Sequence, residues 1–288
     1  MASGTLQLPL MASLCSRESE RKTTNAANSS FTVDVGGLAI CLRVDDPQFL
    51  KLLEQRYAGF QSRTRNTVAA FDISLQRMTE DPDEDLAVQT TGSSVYMRRG
   101  DFRADWNMKT GRGRIEQAPS PYAIDSVLRV VYSLLLVERG GFLVHSASAI
   151  TGNKAYLFAG PSGSGKTTMC RLAGSSVHLL SDEISFVLPD GEAYRAFGTP
   201  FYGELARPGE AISAPLDATF ILRHAPLNRI SAMVRSSALH AVMRNILFFA
   251  KEPLWLERVL AAALRFIRIV PVRQMEFLPN PEIWKLVA

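Results

Sequence analysis

The sequence predicts an α/β fold in which a P-loop nucleotide-binding domain follows a small N-terminal α+β domain. Three observations lead there. Residues 156–174, YLFAGPSGSGKTTMCRLAG, run from an apolar strand through a Gly/Ser-rich loop of the form G-x-x-x-x-G-K-[ST] into a helix-like stretch. Two places pair an N-cap residue with a following proline, Asp46-Pro47 and Ser120-Pro121, each ahead of apolar residues at helical spacing. Between those two starts, short stretches rich in β-branched and aromatic residues read as strands. The division that results is a disordered tail over 1–28, a small α+β domain over 29–118 and the P-loop domain over 119–288.

In chain order, residues 1–28 are rich in Ser, Thr, Asn and Ala without hydrophobic periodicity, the composition of disorder. Residues 31–44 alternate around Gly36-Gly37 as a hairpin. Phe49, Leu50, Leu53 and Tyr57 follow Asp46-Pro47 as one face of a helix. Strands are expected at 67–75, 94–98 and 102–108. Ser120-Pro121 opens an apolar helix that Gly140-Gly141 ends. Residues 141–167 then read as strand, turn at Gly152-Asn153, strand and P-loop. An apolar run at 177–180 leads into Ser181-Asp182-Glu183, and two basic amphipathic helices (237–250 and 254–269) precede a strand at 270–277.

Composition narrows the function classes. With 288 residues, 47% hydrophobic and 21% charged, the chain can bury a substantial core. Three widely spaced cysteines, Cys15, Cys41 and Cys170, suggest neither a disulfide framework nor a zinc site. Arg17, Arg21 and Lys22 follow the first apolar pieces rather than precede them, the wrong order for a secretory signal, so a cytoplasmic location is expected. The apolar run at 127–137 is interrupted by Arg129 and too short for a membrane span. Formal charge is +4, with nine Lys/Arg against Glu252 and Glu257 between residues 221 and 275. No aromatic-interleaved RNA motif accompanies them, so no nucleic-acid partner is expected; a solvated face or an acidic partner accounts for the excess.

The P-loop needs glycines so that backbone N–H groups can close around a phosphate. Gly160, Pro161, Ser162, Gly163, Ser164, Gly165, Lys166, Thr167 and Thr168 form that cradle, Lys166 reaching the β- and γ-phosphates of ATP and Thr167 offering its hydroxyl to Mg²⁺. Phosphoryl transfer also needs a carboxylate for the metal and a base for the attacking hydroxyl. Asp182 and Glu183 follow an apolar strand, as catalytic carboxylates do at a sheet edge, although an acidic pair there is also an ordinary turn. His145, placed at the end of the strand before the P-loop strand, would orient Asp182 through a hydrogen bond. Glu204, in GTPFYGEL, is either a surface carboxylate or a further metal or substrate contact.

His145 within LVHSASAI, the loop LFAGPSGSGKTT, LLSDE and GTPFYGE together resemble the catalytic domain of HPr kinase/phosphorylase. They are more similar to the HPr-kinase-related proteins associated with modified-peptide gene clusters. The resemblance covers the C-terminal part of the chain from Ser120 onward and is strongest between Gly141 and Glu204. It implies the nucleotide-binding fold shared with ATP-dependent phosphoenolpyruvate carboxykinase, and therefore a mixed sheet. It also implies that His145 contacts one of an adjacent acidic pair serving as base and metal neighbour. Here the second acid is Glu183, which leaves both Asp182 and Glu183 open as the base. A family Glu-Leu-Arg-Gly segment that helps hold magnesium is matched in part by Gly203-Glu204-Leu205, with Arg207 one position late. Thr167, Glu183 and Glu204 are the implied metal set. Residues 1–118 carry no such resemblance.

The expected function is an ATP- and Mg²⁺-dependent kinase with Asp182, His145, Lys166 and Glu183 as catalytic residues, Asp182 accepting the hydroxyl proton and Glu183 the next candidate for that role, transferring the γ-phosphoryl group to a serine hydroxyl of a protein or peptide. A homo-oligomer is compatible with the sequence. The alternatives are a small-molecule kinase and a non-catalytic ATP-binding regulator whose basic C-terminal helices engage a partner.

Overall fold

A computed structural model describes residues 30–78 and 84–287, so the disorder expected over 1–28 lies outside the described residues. The first sheet starts with the hairpin β1 (Ser30–Val35) and β2 (Leu38–Val44), turned at Gly36 and Gly37 with φ of 63° and 80°, where a Cβ would be strained. Helix α1 (Pro47–Arg56) begins as the sequence predicts, Asp46 accepting a hydrogen bond from the Phe49 N–H at 2.7 Å. Strand β3 (Ala69–Leu75) lies parallel to β2. Strands β4 (Ala87–Thr91), β5 (Ser94–Arg99), β6 (Phe102–Asn107) and β7 (Arg112–Gln117) form an antiparallel meander that brings β7 back parallel to β3. The order is β1-β2-β3-β7-β6-β5-β4, a mixed sheet.

Strands β4 and β7 escape sequence inspection because AVQTT and RGRIEQ are mostly polar. In β7 the buried positions are Gly113, Ile115 and Gln117. Gly113 is there because the backbone and core close on it: an added Cβ would lie 2.4 Å from both the Asp105 carbonyl oxygen and the Phe71 ring.

Helix α2 (Pro121–Glu138) is apolar around nearly its whole circumference, and such a helix is buried. Val127, Leu128 and Val131 share one core with Phe31, Leu42 and Phe71 of the first sheet and with Leu143, Ile184 and Phe186 of the second.

The second sheet begins with β8 (Phe142–Thr151) and β9 (Lys154–Ala159), followed by helix α3 (Lys166–Arg171). Strands β10 (His178–Ser181), β11 (Ile184–Asp190), β12 (Ala193–Phe197), β13 (Ser213–His224) and β14 (Arg229–Ala232) come next. After these come α4 (Arg235–Asn245), β15 (Ile246–Leu247), α5 (Pro253–Ile269) and β16 (Val272–Phe277), followed by a 3-10 turn over Pro281–Leu286. The order is β10-β8-β11-β12-β13-β16-β14, with β15 on β8 and β9 joining β8 to β13. Strands β9 and β16 run parallel to β13 and most others antiparallel, so this sheet is mixed as well.

The helix expected over 237–250 stops at Asn245 because Ile246 and Leu247 pair with Val144 and Leu143 of β8. The basic C-terminal residues are partly engaged within the fold: Arg229 pairs with Glu276 at 2.6 Å, Arg258 stacks on Trp255, and Arg265 donates to the Gly191 carbonyl. Among the described residues no helix is long and apolar enough to cross a membrane.

Gly113→Ala should destabilise the chain by about 1–3 kcal/mol through overpacking, read as a lower midpoint in urea unfolding. An unchanged midpoint would mean that the Phe71–Asp105 closure is looser than the structure describes.

Candidate active site

The loop leaves β9 after Ala159 and turns with φ of 76° at Gly163 and 102° at Gly165. Gly165 lies against the ends of β16 and β13, where a Cβ would fall 2.4 Å from the Phe277 ring and 3.2 Å from His224. Lys166 is only 8% exposed, and its ammonium is turned back onto the loop, donating to the carbonyl oxygens of Gly160 at 2.9 Å and Pro161 at 3.1 Å. Burial lowers its pKa, opposed by the charges of Glu204 and Glu183. Helix α3 spans six residues, so its dipole adds little and loop amides with Lys166 must dominate any hold on an anion.

The facing wall is set by Ser181, whose hydroxyl accepts the N–H groups of Glu183 at 3.1 Å and Ile184 at 2.8 Å. That turn separates the fates of the two carboxylates. Asp182 is 7% exposed, and its two oxygens accept the backbone N–H groups of Gly203 at 3.0 Å and Leu205 at 2.8 Å. Gly203 has to be glycine at this approach, since a Cβ would sit 2.5 Å from the Asp182 carboxylate. Glu183 accepts no such bond among the described residues; the Arg129 guanidinium lies 3.6 Å away. Burial pushes the Glu183 pKa up, the Arg129 charge pulls it down, and the neighbouring Asp182 charge adds to the rise.

His145 is the fourth residue of β8, opposite Ile184 of β11, and so lies within the strand rather than at its end. Among the described residues the hydrogen bond expected from His145 to Asp182 is not formed; the two Asp182 oxygens accept the loop amides of Gly203 and Leu205 instead. Burial lowers the His145 pKa, and the charges of Lys166 and Arg129 lower it further.

These pieces close around a cavity of about 530 Å³. Ser162, Gly163, Gly165, Lys166, Thr167 and Thr168 of the loop and helix start line it, together with His145, Asp182, Glu183, Glu204 and three further residues. Gly160, Pro161 and Ser164 lie outside the lining; the first two brace Lys166, and the buried Ser164 hydroxyl has no partner among the described residues.

Three residues were missed by sequence reasoning. Tyr202 and His224 line the cavity, His224 with Nε2 2.9 Å from the Gly163 carbonyl oxygen. Arg129 registers in the sequence only as a break in an apolar run, yet a cation on an otherwise buried helix is itself a signal. Tyr202 belongs to the aromatic pair before Glu204, whereas nothing near His224 in the chain announces it.

Thr167, Glu183 and Glu204 offer a hydroxyl and two carboxylates, hard oxygen donors that suit Mg²⁺. Among the described residues no three His, Cys, Asp or Glu side chains group tightly enough to hold a metal alone.

A family model described as "SynChlorMet cassette protein ScmC" matches residues 118–276, more than half of the chain. No curated protein matches. Among solved structures, the Hpr(Ser) kinase/phosphatase from Coxiella burnetii aligns at 8% identity, covering 50% of this chain and 90% of that one, with a TM-score of 0.27. A likeness that weak carries no argument about fold or activity.

His145 should titrate below the ordinary histidine value of about 6.5 and stay neutral at pH 7, which NMR of the imidazole would show. Because its folded pKa is depressed, the stability tied to its neutral form is present above the unfolded pKa and lost as pH falls through the folded one. His145→Gln should flatten that part of the stability profile; a midpoint above 6.5 would contradict the burial and cation field described here.

Proposed function

The chain belongs to the ScmC family of SynChlorMet cassette proteins, and we propose that it is an ATP- and Mg²⁺-dependent kinase transferring the γ-phosphoryl group to a hydroxyl, with serine of a peptide or protein as acceptor. The family description states no activity. The observation that carries the proposal is the meeting, in one cavity, of a phosphate-loop lysine and a carboxylate that loop amides leave unoccupied.

In this mechanism the loop N–H groups and Lys166 hold the β- and γ-phosphates, Lys166 exchanging its two carbonyl partners for phosphate oxygens. Thr167 and Glu204 would hold Mg²⁺, which neutralises phosphate charge. The acceptor oxygen forms a bond to the γ-phosphorus as the bond from that phosphorus to the β,γ-bridging oxygen breaks, leaving ADP. The acceptor proton passes to Glu183. Both Asp182 oxygens accept loop amides, from Gly203 and Leu205, and so hold that loop in place, whereas Glu183 has no such tie among the described residues and burial raises its pKa, which favours it as the base. The role given to Asp182 is to fix the loop that carries Glu204. His145, kept neutral, borders the same space.

Glu183→Gln should keep ATP affinity and lose phosphoryl transfer by roughly 10²–10⁴-fold, the range for removal of a general base. Calorimetry for binding and single-turnover transfer to a serine peptide would measure the two separately. Wild-type transfer by this variant would remove Glu183 from the mechanism, and transfer by no form of the chain despite ATP binding would leave a nucleotide-binding regulator.

A further inference from the structure

Among the described residues the first sheet and α1 contribute no side chain to the cavity lining, but Arg56 of α1 contacts Tyr202, which does. Arg56, the last residue of α1, directs Nε to both oxygens of Asp125 on α2, at 3.0 and 3.1 Å, and Nη2 to the second of them. The Tyr57 hydroxyl donates to the same carboxylate at 2.6 Å. Both members of the pair are nearly enclosed, with side-chain exposures of 10% and 6%. Burial opposes the charge of Arg56, and the Asp125 carboxylate more than offsets it.

The guanidinium plane is used twice more. It lies 5.0 Å from the Tyr122 ring centroid and 4.5 Å from that of Tyr202, and the Tyr202 hydroxyl returns a hydrogen bond to the Arg56 carbonyl oxygen at 3.3 Å. Tyr202 lines the cavity and directly precedes Gly203, whose N–H is held by Asp182, and Glu204. A buried ion pair is weak evidence of stabilisation, since desolvation consumes most of its attraction. A guanidinium can fork to a carboxylate and stack on rings together, which an ammonium cannot match.

We propose that Arg56 is a positioning residue for the 202–205 wall of the cavity, so that the N-terminal sheet unit, through α1, sets the geometry in which Asp182 and Glu204 stand. The contact acts through Tyr202, not on the nucleotide, whose loop lies on the facing side. Its catalytic consequence rests on the kinase reading; its structural content does not.

The test is amide hydrogen exchange in the full chain, followed at Gly203 and Leu205, with Arg56→Lys, Tyr202→Ala and Tyr202→Phe. Arg56→Lys keeps a charge opposite Asp125 and loses the forked, doubly stacked geometry. Arg56→Lys and Tyr202→Ala should each speed exchange at those two amides by roughly two- to thirtyfold, the effect of losing one cation–π contact. Amides of α2 such as Val130 should be unchanged, and Tyr202→Phe, which keeps the ring, should stay near wild type. In transfer assays Arg56→Lys should lower kcat with ATP affinity unchanged. Unaltered exchange at Gly203 and Leu205 in Arg56→Lys overturns the proposal, as does a uniform rise throughout the chain, which would make the pair a general stabiliser. If the two amides respond while the wild type transfers no phosphate, the positioning role stands and the kinase reading alone fails.

Discussion

Two backbone N–H groups and one carboxylate set the candidate site. Asp182 sits where β10 hands over to β11, and by accepting from Gly203 and Leu205 it ties a distant loop to the edge of the second sheet. Hydrogen bonds to a buried carboxylate are among the stronger ones in proteins, and leaving either oxygen unpaired would cost its desolvation. The tied loop carries Glu204 onto the cavity and Tyr202 against Arg56. The loop is also pinned to β10 by backbone bonds from Thr199 to Leu180 and from Glu210 to Leu179, at 3.0 and 2.9 Å.

The same constraint gives two adjacent acids different surroundings. Identical chemistry one residue apart ends in different environments because the Ser181 turn sends one carboxylate toward the loop amides and leaves the other near Arg129 and Lys166. Helix α2 links this end of the molecule to the first sheet: one helix carries Arg129 beside Glu183 and Asp125 beneath Arg56, while its apolar residues share a core with both sheets.

Local signals were legible where local physics decides. The Asp46-Pro47 and Ser120-Pro121 starts, the Gly36-Gly37 turn and the strand pair around Gly152-Asn153 all follow from capping and turn chemistry, and each is in place. Strand β7 was not legible, since two of its three buried positions are Gly113 and Gln117, and neither looks like core until the neighbouring strand is known. Of the site, the loop and the acidic pair stand out in the chain because their residues are consecutive. The occupation of Asp182 by Gly203 and Leu205, the approach of His224 to Gly163 and the stacking of Arg56 on Tyr202 join residues 21 to 146 positions apart, beyond the reach of any local pattern.

A crystal structure with Mg²⁺ and a non-hydrolysable ATP analogue would show whether this cavity takes a nucleoside triphosphate between the loop and Glu183. The account predicts Lys166 released from the Gly160 and Pro161 carbonyls onto the β- and γ-phosphates, Glu183 facing the terminal phosphate, and Asp182 still bound to Gly203 and Leu205. A nucleotide bound elsewhere, or one bound here with Lys166 still on its two carbonyls and Glu183 turned away, would contradict it.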